Sequence, residues 1–332
     1  MVHENKKKRE SESLKGTRES IQEIEALDEE KPEELEREKV ETEFLVPAIP
    51  NWVETPEVTA IKNKVIAWLS LGHPVHIIGP TGCGKTTLAL SAAKELGHPT
   101  VWINGDTSVR TTDLIGGYSQ IEQETVRDKY IHNVFKDKDI MRADWVDNPL
   151  TTACKYGYTL VYNEFSRTLP VANNVLLSIF QEGVLELPTR FGLERFVKVH
   201  PNFKAIFTSN SVEYAGVHRP QDALLDRLVG VYMDYYSPKT EAEIVAADSK
   251  VSDHDAKRIV KIVREVRSKM NDGEKPGTRA CVMIGQAFAA LKNPSQMELQ
   301  SICMDVITSK TKNFDDFSKK TKIVERAVES VS

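Results

Sequence analysis

The sequence predicts an α/β domain built on a parallel sheet, a small all-helical domain after it, and a charged tail before it. Three observations carry that reading. Short apolar runs alternate with helical patterns between residues 44 and 237, and such alternation builds a parallel sheet with right-handed crossovers. After Pro238 the apolar runs stop and only amphipathic helical periodicity continues. Residues 1–44 hold 9 Lys/Arg against 15 Asp/Glu and no aromatic before Phe44, too little apolar surface to offset the entropy of ordering.

In chain order, residues 1–43 are expected to be a disordered tail, with a transient helix left open by the helical spacing of Ile21, Ile24 and Leu27. Residues 44–237 form the α/β unit. Its strands are the runs 75–79 (VHIIG), 100–104 (TVWIN), 159–163 (TLVYN), 203–209 (FKAIFTS) and 229–233 (VGVYM). Each is rich in Val, Ile or aromatic residues, as strands covered on both faces are. Helical patterns over 86–96 and 170–182 separate them. Residues 238–332 make the helical unit, with helices over 239–249, 254–271, 278–291, 296–308 and 314–330 and a break at NDGEKPG, 271–277. Turn residues of that kind interrupt helical periodicity.

Composition narrows the classes of function. Removing the tail from the net charge of −5 leaves 35 basic against 34 acidic residues, so no basic patch favours nucleic acid. No apolar stretch approaches 18 residues and no signal peptide opens the chain, so no membrane is expected. Cys83, Cys154, Cys281 and Cys303 form no CxxC pair, which fits a reducing compartment without a disulfide framework or a zinc site.

The chemistry concentrates at the strand ends. GPTGCGKTT, residues 79–87, matches GxxxxGK[ST], following an apolar strand and opening a helix. Gly79, Pro80, Thr81, Gly82, Cys83, Gly84, Lys85, Thr86 and Thr87 are therefore candidates for binding a nucleotide. Glycines let backbone amides turn inward and the helix start adds partial positive charge for a phosphate. Lys85 reaches the β- and γ-phosphates of ATP, and the Thr86 hydroxyl suits Mg²⁺. A second strand ends in Asn163 and Glu164 where an Asp followed by Glu is the usual pair. Glu164 is the candidate general base for water. Asn163 brings no charge, but its carbonyl oxygen can accept from a metal-bound water; the competing reading is a cap that merely ends the strand. Asn210, closing FTSN, is placed to orient that water or the γ-phosphate. Arg227, in DALLDRL, could serve a neighbouring subunit's phosphate, against an ion pair with Asp226 or another nearby carboxylate. Arg279, in PGTRA, opens a helix of the second unit and could sense the γ-phosphate, against a plain exposed arginine at a helix start.

Together these motifs resemble an AAA+ ATPase: Walker A at 79–86, Walker B at 159–164, sensor 1 at Asn210, an arginine finger at Arg227 and sensor 2 at Arg279. TTDLIGGY (111–118) and NPLTTACKYGYTLVYNEF (148–165) are similar to the MoxR-like branch, with a hairpin inserted before Walker B and another, after GVLELP, before sensor 1. YNEFSRTLPVANNVLLSIFQEGVLELP (162–188) and EYAGVHRPQDALLDRL (213–228) resemble the gas vesicle protein N family, over roughly residues 44–290. Two departures stand out: NPL replaces the usual GPL, and Asn163 replaces the general Asp.

The resemblance implies a Mg²⁺-dependent, ATP-hydrolysing, cytoplasmic protein that supports gas vesicle assembly or enlargement by acting on shell or accessory proteins. Association with the vesicle surface is left open. It also implies a homo-oligomeric ring, commonly a hexamer, because each site borrows an arginine from its neighbour. Two other classes stay in view: a nucleotide-gated assembly scaffold with slow hydrolysis, and a MoxR-type activator that inserts a metal into another enzyme. The acidic tail suits a tether to a basic partner or a solubilising extension.

Overall fold

The structure is a computed structural model that describes residues 39–49, 52–118, 122–130, 134–142, 145–187, 195–211, 218–292, 294–309, 311 and 313–331. The expected tail, with its transient helix, lies outside these residues up to position 38. Residues 39–43 form a helical turn, and Val40 within it and Phe44 just after it pack on the core of the sheet.

In chain order, α1 (Pro56–Ser70), β1 (Val75–Gly79), α2 (Lys85–Glu95) and β2 (Thr100–Asn104) come first. Then follow α3 (Thr111–Ile115), β3 (Gly116–Tyr118), β4 (Glu122–Tyr130), β5 (Val134–Arg142), β6 (Trp145–Asp147) and α4 (Pro149–Tyr156). The chain continues through β7 (Thr159–Asn163), α5 (Pro170–Asn173), α6 (Val175–Glu182), β8 (Val184–Glu186), β9 (Phe196–Lys198), β10 (Lys204–Asn210), α7 (Asp222–Leu225) and β11 (Val229–Tyr232). Five helices close it: α8 (Pro238–Ser249), α9 (Asp253–Ser268), α10 (Thr278–Ala290), α11 (Gln296–Thr308) and α12 (Phe314–Glu329).

The main sheet has five parallel strands in the order β11-β1-β10-β7-β2. Period-2 alternation sorts its side chains onto two faces. Leu160, Tyr162, Ala205 and Phe207 enter one core with α4 and α6. Val161 and Ile206, one residue out of phase, enter the other with Val75, Ile77 and residues of α1 and α2. Because helices cover both faces, strands read as unbroken apolar runs. Both expected hairpins are present: β4 pairs antiparallel with β5, and β8 with β9. The helical pattern over 170–182 divides at Asn174, where Asn174 N–H bonds Val171 O at 3.4 Å and Leu177 N–H bonds Asn174 O at 3.0 Å. Both are i→i−3 bonds, the tighter winding of a 3₁₀ turn.

The helices after β11 bury a separate core, with Ile259, Val260, Ile262, Val263 and Val266 of α9 at its centre. Four of their five starts are capped by side chains that satisfy free amides. Ser237 accepts from Thr240 N–H, Ser252 from Asp255 N–H and Asn313 from Asp316 N–H, and Ser295 forms a reciprocal box with Glu298. Among the described residues no helix is long and apolar enough to cross a membrane.

Candidate functional site

Parallel strands present their carboxyl ends on one edge of the sheet, and open α/β sheets bind ligands along that edge. Here four neighbouring strands end in Gly79, Asn104, Asn163 and Asn210, with Gly79 opposite Asn210 and Asn104 opposite Asn163 in register. Gly79, Asn163 and Asn210, singled out from sequence, thus share one edge of the sheet with Asn104.

The loop from Gly79 turns into α2 at Gly84, whose φ of 97° is left-handed, a conformation that glycine adopts without a Cβ penalty. Lys85 is 6% exposed. Its ammonium donates to Pro80 O at 2.8 Å and to Asn210 Oδ1 at 3.0 Å. Burial disfavours the charged form and holds its pKa below the usual lysine value, the nearby Cys83 and Glu164 opposing that shift. An ammonium has three N–H donors, and among the described residues two protein acceptors meet them, which suits the group to a phosphate oxygen.

Thr86 donates to Asn163 Oδ1 at 2.8 Å, and Thr208 donates to the same oxygen at 2.8 Å. Asn163 Nδ2 donates across the sheet to Asn104 Oδ1 at 2.8 Å. The Asn163 side chain thus makes three hydrogen bonds, and its carbonyl oxygen faces the Thr86 hydroxyl. Glu164, next in the chain, has φ 53°, a left-handed state that costs a non-glycine residue on the order of 1–3 kcal/mol. Glu164 N–H bonds Thr208 Oγ1 at 3.0 Å, which helps hold this turn. The turn aims the carboxylate at Asn210, whose Nδ2 lies 3.0 and 3.2 Å from its two oxygens. Arg167 Nε lies 3.0 Å from Glu164 Oε2. A polar chain thus runs Lys85–Asn210–Glu164–Arg167. Beneath it, buried His76 shares a 2.7 Å hydrogen bond with Ser209 Oγ and meets Phe165 edge to face at 4.8 Å.

The helical unit closes the other side. Arg279 N–H donates to Gly82 O at 3.2 Å. Gly277 approaches the loop so closely that a Cβ there would lie 2.7 Å from Thr81 O and 2.8 Å from Gly82 O. Between the units lies a cavity of about 270 Å³, lined by Gly82, Cys83, Gly84, Thr87 and Arg279 and walled by apolar Trp52, Val58, Ile244 and Val282. An apolar slot beside a phosphate loop has the character of a site for a planar base. Pro80 and Thr81 face a neighbouring cavity of about 510 Å³.

Arg227 stands apart. It donates to Ala223 O and Gln181 Oε1, so the expected alternative of an Asp226 ion pair is not what holds it. It shares a cavity with Pro74 and Lys204 at the start of β1 and β10, a strand length of about 16 Å from the loop after Gly79. Asn104, Thr208, Arg167 and Trp52 escaped the motif reading. Asn104 had a visible signal, since it ends the strand TVWIN beside the one ending in Asn163. The other three are joined to the site only by folding.

The residues present fit ATP and Mg²⁺: a buried lysine with a donor to offer, a glycine loop, and two neutral oxygens converging from Thr86 and Asn163. The AAA domain (dynein-related subfamily) model matches residues 74–228. The chain is 51% identical over 290 residues to the gas vesicle ATPase GvpN of Haloferax mediterranei, a match covering 87% of this chain and 83% of that one. It is 40% identical over 265 residues to the gas vesicle ATPase GvpN of Ancylobacter aquaticus, covering 78% and 73%. Protein CbbQ of Hydrogenophilus thermoluteolus is 26% identical over 215 residues, covering 64% and 73%.

Proposed function

The chain belongs to the GvpN family of gas vesicle ATPases, MoxR-like AAA+ proteins, and from that premise we propose that it hydrolyses ATP to assemble or enlarge gas vesicles by remodelling shell or accessory proteins. It acts in the cytoplasm, at the vesicle surface, as a homo-oligomeric ring, a hexamer by the family's habit.

The loop amides from Gly82 to Thr86 and the Lys85 ammonium bind the β- and γ-phosphates, while the slot beside Trp52 takes the base. Thr86 Oγ1 and Asn163 Oδ1 would hold Mg²⁺, which would supply neutralisation of phosphate charge. Glu164 accepts a proton from water as its oxygen attacks the γ-phosphorus and ADP departs. Before nucleotide arrives, Asn210 links Lys85 to Glu164. A γ-phosphate that takes over Lys85 releases Asn210 Oδ1, and Asn210 can then orient water. A neighbouring subunit donates Arg227 to the charge that develops on the phosphoryl group. Arg279 reads the γ-phosphate from the helical unit, so that turnover changes the angle between the two units and moves the hairpins.

The observation that carries this reading is the hydrogen-bonded chain from Lys85 through Asn210 to Glu164. It is tested by steady-state hydrolysis with Mg²⁺ beside Glu164→Gln. The wild type turns over, and Glu164→Gln binds ATP but loses about 100-fold or more in rate, the scale of a general base. Wild-type rates in Glu164→Gln would remove the residue from that role. A second reading, a nucleotide-gated scaffold, draws on the neutral Asn163; vesicle growth supported equally by Glu164→Gln and wild type would favour it.

A further inference from the structure

Glu241 is fully buried in α8, where a carboxylate persists only if its oxygens are met by donors. Arg264 Nη1 donates to its Oε2 at 2.8 Å, and Arg267 donates Nη1 to Oε2 at 3.2 Å and Nη2 to Oε1 at 2.7 Å. The Thr278 hydroxyl adds a fourth bond, to Oε1 at 2.9 Å. The same two arginines fasten the surrounding backbone. Arg264 Nη1 also donates to Tyr236 O at 3.0 Å, and Arg267 Nε donates to Pro276 O at 2.8 Å. The Arg267 guanidinium lies 3.9 Å over the Tyr235 ring. Tyr235 and Tyr236 belong to the connection between β11 and α8, while Pro276 leads into α10.

One carboxylate therefore anchors both the connection between the units and the start of α10. Thr278 is the first residue of that helix, and Arg279 follows it with its N–H on Gly82 O. The charge of Glu241 is already met by two arginines, so the Thr278 hydroxyl contributes orientation more than charge balance. We propose that Glu241, acting through Thr278, is a positioning residue that sets the first turn of α10 and so delivers Arg279 to the nucleotide. This rests on reading Arg279 as the residue that senses the γ-phosphate. Through the shared arginines the same carboxylate also bears on Tyr235 and Tyr236, in the connection between the two units.

The test measures the affinity of the full-length protein for fluorescent ATP and ADP analogues. Thr278→Val removes the donor and should weaken ATP binding about tenfold, the scale of one lost bond to a charged group, with a smaller effect on ADP. Thr278→Ser should restore the ATP preference, and Thr278→Ala, which removes the donor with less bulk, should repeat the loss. In an Arg279→Ala background Thr278→Val should cost nothing further. Equal losses for ATP and ADP, or full additivity with Arg279→Ala, overturn the proposal alone. An Arg279→Ala variant that binds ATP as well as wild type overturns the Arg279 assignment and this proposal with it.

Discussion

Asn163 takes its meaning from its neighbours. Its oxygen accepts from Thr86 and Thr208 while its nitrogen donates to Asn104. An aspartate at this position would keep both hydroxyl partners but present oxygen to Asn104 Oδ1. Asn104 is exposed, so its amide can rotate by 180° and donate instead. Asn163→Asp is therefore expected to fold normally and to add a negative charge beside the Thr86 hydroxyl. The Mg²⁺ concentration giving half-maximal hydrolysis should fall about tenfold, the effect of roughly 1.4 kcal/mol. If that concentration is unchanged, Asn163 lies outside the metal's reach. Arg167 poses a related question, because it shares Glu164 with Asn210 while half exposed to solvent. A surface pair of this kind contributes about 0–1 kcal/mol to stability, so its weight lies in where it holds the carboxylate.

At the scale of elements, the β1–β10 pair carries the site on a buried histidine. Burial pushes the pKa of His76 down from 6.5 to about 4, since the imidazolium loses its hydration and, among the described residues, gains no carboxylate partner. Between those values the unfolded chain binds a proton that the folded chain refuses. Stability should thus rise with pH from about 4 to 6.5 and level off above, by at most about 3 kcal/mol from this group. Thermal unfolding followed from pH 5 to 7 checks the sign. The wild type should gain stability across that window more steeply than His76→Gln, which keeps an amide within reach of Ser209. Parallel profiles would show that His76 is ionised or solvated in the folded protein.

At the scale of the whole molecule, the proposed mechanism calls on a second chain. Arg227 sits at the opposite end of the sheet from the loop it is proposed to serve, so only a second copy can bring it there. Arg227→Ala should bind ATP yet lose about 10³-fold or more in turnover. Lys85→Ala should fail to bind nucleotide while keeping its own Arg227. Mixed in equal amounts, the two inactive variants should recover part of the activity, because Lys85→Ala subunits lend an arginine to intact loops next door. Absence of recovery in mixtures that form mixed rings by native mass spectrometry would argue against donation between subunits.

Much of this molecule is legible in the chain because its strongest signals are local. Apolar runs bounded by turns reported all five strands of the main sheet to within a residue, and amphipathic periodicity reported the five helices of the second unit. The loop GPTGCGKTT announces itself because a tight turn into a helix leaves little choice of residue. What the sequence by itself determined is therefore the five strands of the main sheet, the five helices that follow them, the phosphate loop and the family. The tertiary structure decided what those residues touch. Strand order sets Asn104 beside Asn163 and Gly79 beside Asn210, pairings between residues distant in sequence. The left-handed turn at Glu164 aims a carboxylate that strand alternation alone would not place. Thr208, Arg167 and Glu241 gain their roles in the same way, since a hydrogen bond depends on distance and angle in space and periodicity along the chain records neither.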